Sequence, residues 1–236
     1  MIFHGITAYS GPYSKMVVDD LNQAGYNVLG FNLRGHGLSD GVRGDYPSAK
    51  RVILDICEAI ALVKEKYPKL VVLGHSLGAV QVALAANNCM EKIDGIIIAS
   101  AAKTIRPGVY KKPTAGQTAK IMFAALFTPG KRMMKYYREG MTGMDDPLFN
   151  FAYSPRFMTA LSTKKFVLPA EISCPVLFTV GENDEIFSQE SVKETLDGIN
   201  AKDKTMIVIP GAKHAEFPLG SWTGLIDWLN DRFPLG

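Results

Sequence analysis

The chain has 236 residues, of which 47% are hydrophobic and 21% charged, and a formal net charge of +3. This describes one sizeable soluble globular domain with a full core, and the slight charge with no recognisable motif argues against a nucleic-acid binder. No apolar run approaches the ~20 residues of a membrane span, and Met1-Ile2-Phe3-His4-Gly5 lacks the basic start and long apolar segment of a signal peptide.

Apolar runs alternate with helical patterns along the chain. The predicted order is strand 1–3, helix 13–24, strand 26–31, helix 48–66, strand 70–73, helix 77–87 and strand 93–99. After an interruption come strand 176–180, helix 189–196, strand 205–209 and helix 221–232. Continuous apolar strands alternating with helices predict an α/β fold, a mostly parallel, doubly wound sheet buried on both faces. Sites in such sheets lie at the carboxyl ends of the strands. There is no internal repeat and no low-complexity segment.

The interruption divides the chain into a core of residues 1–102 and 170–236 and an insertion of residues 103–169. Such a stretch is too long for a plain loop and should carry its own helices, with 121–127 and 131–140 as candidates. Between Lys103 and Ala170 there are twelve Lys/Arg and three Asp/Glu, so the remainder is acidic on balance. Ten aromatics and six of the ten methionines also lie there. A small helical cap has little interior of its own, so some of these residues are expected to line an apolar pocket. Pro107-Gly108, Pro129-Gly130 and Pro169 mark breaks between its helices. Cys57, Cys89 and Cys174 are widely spaced and read as reduced core cysteines, which points to a cytoplasmic setting.

Gly74-His75-Ser76-Leu77-Gly78 stands between the strand at 70–73 and the helix at 77–87. Strand, sharp turn and helix with serine at the apex is the nucleophile elbow. The serine needs a strained backbone, and a Cβ at Gly74 or Gly78 would crowd the turn. A serine alcohol needs an adjacent base, itself oriented by a carboxylate, in the chain order Ser, Asp/Glu, His. Of the four histidines only His214 follows Ser76, in the loop after the last strand, and it is the candidate base. The carboxylate should follow the strand at 176–180, where Glu182, Asp184 and Glu185 are all available. The oxyanion requires preorganised N–H donors. These are expected from Leu77, directly after the nucleophile, and from Ile6 in the His4-Gly5-Ile6-Thr7 loop, with His4 and Gly5 in supporting roles beside His75.

These features together resemble the α/β-hydrolases, in particular the monoacylglycerol lipase and lysophospholipase-like branch, which shares its sequence family with serine aminopeptidases. The resemblance spans nearly the whole chain. It rests on His4-Gly5 with Gly11-Pro12-Tyr13, on Phe31-Asn32-Leu33-Arg34-Gly35-His36-Gly37-Leu38-Ser39-Asp40-Gly41, on the elbow, on Cys174-Pro175-Val176 leading to Asp184, and on Gly211 to His214. It implies Ser76 as nucleophile, Asp184 as acid, His214 as base, and Ile6 and Leu77 at the oxyanion hole, with no metal or organic cofactor.

Two departures stand out. Asn32 occupies a position usually held by Asp, which implies a local change around the Arg34–Ser39 loop. Relatives carry two further strands ahead of the His-Gly loop, so six strands are expected where eight are usual. The 26–32 strand would then be an apolar edge open to pairing with a second copy, unless the natural start lies upstream. The implied reaction is hydrolysis of short or medium acyl esters or monoacylglycerols. Aminopeptidase and thioesterase chemistry are alternatives, as is a non-catalytic ligand sensor on the same scaffold. The basic insertion also suits transient contact with an anionic membrane surface.

Overall fold

Eight strands occur in the computed structural model, which describes residues 1–110, 112–137 and 141–235. They are β1 (Ile2–Phe3), β2 (Gly30–Phe31), β3 (Val71–His75), β4 (Gly95–Ala99), β5 (Met134–Lys135), β6 (Ala152–Tyr153), β7 (Val176–Gly181) and β8 (Lys204–Ile209). All but β5 and β6 form one sheet in the order β2-β1-β3-β4-β7-β8, every pairing parallel. The helices are α1 (Asp19–Gln23, entered through a π-helical turn Ser14–Val18), α2 (Ala49–Lys66), α3 (Gly78–Asn88), α4 (Ala115–Phe127), α5 (Pro155–Ala160), α6 (Gln189–Asp197) and α7 (Thr223–Arg232).

The two-residue period of a strand explains the two layers. In β4, Ile96 and Ile98 pack with α2, α3 and α6, through Val52, Ile56, Ile60, Val80, Val192 and Leu196. Ile97 and Ala99 point the other way, to Leu21, Leu225, Trp228 and Leu229 of α1 and α7. Phe178 and Leu177 of β7 divide in the same manner. Helix α2 buries a single stripe, Val52, Ile56, Ile60 and Val63, and starts at Ser48, whose side chain accepts the Arg51 N–H. The sequence therefore yields the six-stranded, doubly wound sheet expected of it.

Three expectations are corrected. The 26–31 strand contributes only Gly30–Phe31 to the ladder, opposite Ile2–Phe3. Ahead of it, Tyr26 turns to α7 and donates its hydroxyl to Asn230 Oδ1. The 131–140 helix is replaced over its described part by β5, which pairs antiparallel with β6. Met133 and Tyr136 donate their N–H groups to Tyr153 and Phe151, so long-range pairing overrides local helical preference. Residues 138–140 of that expected helix lie outside the described residues. Finally, Cys57 and Cys89 are joined in a disulfide, while Cys174 is free and buried. Cys57 lies on α2 and Cys89 follows α3. Packing of these two helices brings Cα atoms 32 positions apart in sequence to 6.0 Å, a proximity that sequence spacing does not reveal. The cytoplasmic expectation rested on reduced cysteines and loses that support. Among the described residues no helix is long and apolar enough to cross a membrane.

Candidate active site

Strand β3 ends at His75, and α3 begins at Gly78. Between them Ser76 has φ 54°, the left-handed conformation of a tight turn. The glycines have a measurable steric role. A Cβ at Gly78 would lie 2.1 Å from the Phe3 carbonyl oxygen, and one at Gly74 would lie 2.4 Å from that of Gly78. Only glycine lets the elbow pass this close to β1.

The loops after β7 and β8 bring their polar residues to this turn. Ser76 Oγ lies 3.1 Å from His214 Nε2, and His214 Nδ1 lies 3.2 Å from Asp184 Oδ2. The other Asp184 oxygen, Oδ1, accepts the N–H groups of Ile186 and Phe187 at 2.8 and 2.9 Å. Burial by itself raises the Asp184 carboxyl, but the His214 bond and charge and these two N–H bonds outweigh it and hold the pKa below its ordinary value. Asp184, ionised, accepts the proton of His214 Nδ1, which leaves the Nε2 lone pair facing Ser76 Oγ. The remaining carboxylates of the loop brace the backbone instead. Glu182 accepts the Gly211 N–H and Glu185 the His214 N–H, at 2.8 and 3.0 Å.

Of the expected oxyanion donors, Leu77 directly follows Ser76 and Ile6 lines the same cavity as Ser76. No protein acceptor among the described residues takes the N–H of Ile6 or Leu77. His4 sets the direction of the Ile6 donor. Its Nδ1 donates to the Gly5 carbonyl oxygen at 2.8 Å, and its Nε2 accepts the Leu33 N–H at 3.1 Å. The Gly5 carbonyl and Ile6 N–H belong to one planar trans peptide and point in opposite directions. Holding the carbonyl on His4 therefore turns the N–H away from it. Burial, reinforced by the neighbouring His36, lowers the His4 pKa to about 3, so the ring stays neutral and keeps one donor and one acceptor.

The Arg34-Gly35-His36-Gly37-Leu38-Ser39 segment supports the same loop from behind. Arg34 makes a two-pronged pair with Asp55 of α2. His36 places Nε2 3.2 Å from the Ile6 carbonyl oxygen and Nδ1 3.3 Å from that of Arg34. Asn32, the departure from the expected Asp, accepts the Ser10 N–H with its side chain at 2.6 Å, while its carbonyl takes the Ser39 hydroxyl. Sequence reasoning missed two further members. Tyr153 of β6 lies with its hydroxyl 2.6 Å from the Ile6 carbonyl oxygen, and Asn150 donates its backbone N–H to Thr7. Both lie in the insertion, and no local motif marks them.

A cavity of about 140 Å³ opens over Ser76 and His214. Tyr136, Met141 and Phe149 of the insertion line it, with Ile6, Met16 and Ile186 of the core. Its charged residues are engaged: Glu216 pairs with Lys213, and Glu185 binds the His214 backbone. Among the described residues no His/Cys/Asp/Glu group is arranged to hold a metal ion.

The family model described as serine aminopeptidase, S33, matches residues 1–217. Uncharacterized protein YnbC of Escherichia coli (strain K12) is 23% identical over 91% of this chain, which spans only 38% of that relative's length. A monoacylglycerol lipase of Mycolicibacterium smegmatis is 22% identical, with 92% of this chain and 81% of the relative covered. The crystal structure of Paleococcus ferrophilus monoacylglycerol lipase superimposes with a TM-score of 0.74 at 28% identity, covering 98% of this chain and 93% of that one.

Proposed function

The chain belongs to the serine aminopeptidase S33 family of α/β-hydrolases, and we propose that it hydrolyses carboxylic esters through Ser76, His214 and Asp184. The observation that carries this reading is the continuous hydrogen-bonded line from Ser76 Oγ through both nitrogens of His214 to Asp184. His214 Nε2 removes the Ser76 proton as Oγ attacks the ester carbonyl carbon, and the carbonyl π electrons move onto oxygen. The Ile6 and Leu77 N–H groups stabilise that oxyanion. Collapse restores the carbonyl and breaks the bond to the alcohol, which takes its proton from His214. Water then attacks the acyl-enzyme by the same route and releases the acid.

The cavity, about 140 Å³, is small beside the roughly 300–1,000 Å³ of common ligand pockets. That favours short acyl chains over long ones. Likeness to monoacylglycerol lipases supports glycerol esters as the wider class. Aminopeptidase chemistry is less favoured, because the pocket carboxylates Glu185 and Glu216 are engaged with protein groups that compete with a substrate amine.

One observation supports membrane contact as well. On α4, Met122, Phe123, Leu126 and Phe127 are 62%, 63%, 77% and 67% exposed, beside the basic Lys120, Lys131 and Arg132. An apolar face edged by cations suits an anionic lipid surface.

Steady-state hydrolysis of p-nitrophenyl esters from acetate to long acyl chains, with Ser76→Ala in parallel, tests the ester reading. Repeated turnover, an optimum at short chains and complete loss in Ser76→Ala are expected. A folded protein without Ser76-dependent ester turnover contradicts it, and acyl thioesters, aminoacyl anilides and ligand-binding assays then separate the thioesterase, peptidase and sensor alternatives.

A further inference from the structure

Tyr13 and His75 are buried, and neither belongs to the line of proton transfer described above. Their hydrogen bonds nevertheless run from the Gly5 loop to the backbone of His214. The Gly5 N–H donates to the Tyr13 hydroxyl oxygen at 2.9 Å. That oxygen lies 2.7 Å from His75 Nδ1, and His75 Nε2 lies 2.8 Å from the His214 carbonyl oxygen.

The proton positions follow from the partners. A carbonyl oxygen only accepts, so His75 Nε2 must carry a proton. A neutral ring then has a bare Nδ1, which accepts the hydroxyl proton of Tyr13. The Tyr13 oxygen is left to accept from Gly5. The chain thus runs in one direction, Gly5 N–H to Tyr13 O–H to His75 to His214 C=O, with every group satisfied. Burial raises the Tyr13 pKa above the reach of ordinary buffers. Burial, with the nearby His214 charge, lowers His75 to about 3. The pair therefore keeps this protonation state even when His214 is an imidazolium.

The segments joined are far apart in sequence. Gly5 belongs to the oxyanion loop, His75 directly precedes Ser76, and His214 carries the base. Gly5 is held at both ends, its N–H on Tyr13 and its carbonyl on His4, so the peptide bearing the Ile6 N–H is fixed from two sides. His214 is held on its backbone carbonyl by His75, on its backbone N–H by Glu185 and on its ring by Asp184. Removing the Tyr13 hydroxyl leaves the Gly5 N–H and His75 Nδ1 without their partner and frees His75 to change tautomer, which would turn a lone pair on the His214 carbonyl.

We propose that Tyr13 and His75 are positioning residues that hold the oxyanion loop, the nucleophile and the base in one register, and that their contribution is expressed in the transition state. This rests on the serine-hydrolase reading of the same site. A displacement near 1 Å within such a constellation costs on the order of 10²-fold in rate.

The test compares native protein with Tyr13→Phe, His75→Gln and His75→Phe, each verified as folded by circular dichroism. Two readouts are taken: kcat and KM on a short p-nitrophenyl ester, and the rate of Ser76 phosphonylation by a fluorophosphonate, which needs nucleophile, base and oxyanion hole but no particular ester. Tyr13→Phe is expected to lower kcat and the phosphonylation rate together by roughly 10- to 100-fold, with KM changed less than about twofold. His75→Gln, whose amide offers both a donor and an acceptor, should retain more of both rates than His75→Phe. Native rates in folded Tyr13→Phe, or a rise in KM with kcat unchanged, overturn the proposal. A native protein that is phosphonylated at Ser76 but inert to esters, with labelling slowed in Tyr13→Phe, removes the ester reading and leaves this one standing. Absence of labelling in the native protein overturns both.

Discussion

The two arms of the insertion differ in how they meet the core. The later arm is tied to the core at many points. Asp146 accepts from Tyr9, Asn150 donates to Thr7 and Gly35, Tyr153 reaches Ile6, and Arg156 pairs with the buried Asp45. The earlier arm is anchored near its root, where Arg106 donates to the Ile186 and Asp184 carbonyls, but only Ala124 of α4 is buried. One arm is thus tied to the loop that carries the proposed oxyanion donor Ile6, whereas the other presents an apolar face outward. Damage to the first should therefore reach the chemistry, and damage to the second should spare it.

Acid breaks the fixed side most broadly. Burial lowers His4, His36 and His75 to about 3, about 4 and about 3. His36 packs against Tyr153 and Phe157 of the later arm. Well above pH ~6.5 neither the folded nor the unfolded chain protonates these rings, and their contribution to stability is intact. As pH falls further the unfolded chain takes up protons that the native one refuses, so stability is lost until the folded values are reached. The slope is at most ~1.4 kcal/mol per pH unit for each histidine. Urea unfolding between pH 7.5 and 5 should show the midpoint falling from about pH 6.5; a flat profile would show that these rings are protonated in the native state.

The next largest effect is expected at Arg156→Ala, which leaves the Asp45 carboxylate buried without its cation. Fully enclosed pairs lose ~3–5 kcal/mol on such a change. Arg156 is 40% exposed, so roughly 2–3 kcal/mol is expected here, read from denaturant midpoints at constant m-value. Tyr153→Phe removes one hydroxyl from behind Ile6 and should lower kcat by about tenfold with KM nearly unchanged. An unaltered kcat would place the later arm outside the catalytic scaffold. The smallest kinetic effect belongs to the double substitution Phe123→Ser and Leu126→Ser. It should leave kcat on a water-soluble short ester within about twofold while reducing adsorption to anionic vesicles several-fold. A large loss of kcat in that variant would erase the distinction between the arms.

The same distinction governs what could be read in the sequence. Core strands were legible because each is a short apolar run flanked by helical periodicity, and parallel sheets bury such runs on both faces. Ser76 and His214 stood out because a glycine-bounded turn and chain order marked them; chain order left Asp184 beside Glu182 and Glu185, and the family resemblance singled it out as the partner that the structure places within hydrogen-bond reach of His214. In the insertion the helix expected at 121–127 lies within α4, but no motif marked the later part. Met134–Lys135 became strand through pairing with Tyr153, a partner that no local propensity reveals. Tyr153 and Asn150 reach Ile6 and Thr7 from more than a hundred residues away, and Cys57 meets Cys89 through helix packing. Local pattern showed what each segment is, whereas these contacts depend on where the segments meet.

An acyl-enzyme on Ser76 is tested most directly by rapid acid quench of the protein during turnover of a short p-nitrophenyl ester, followed by peptide mass spectrometry. One acyl group on the peptide that contains Ser76, absent in Ser76→Ala, is the predicted result. Turnover with the acyl group on another residue, or persisting in Ser76→Ala, would contradict it.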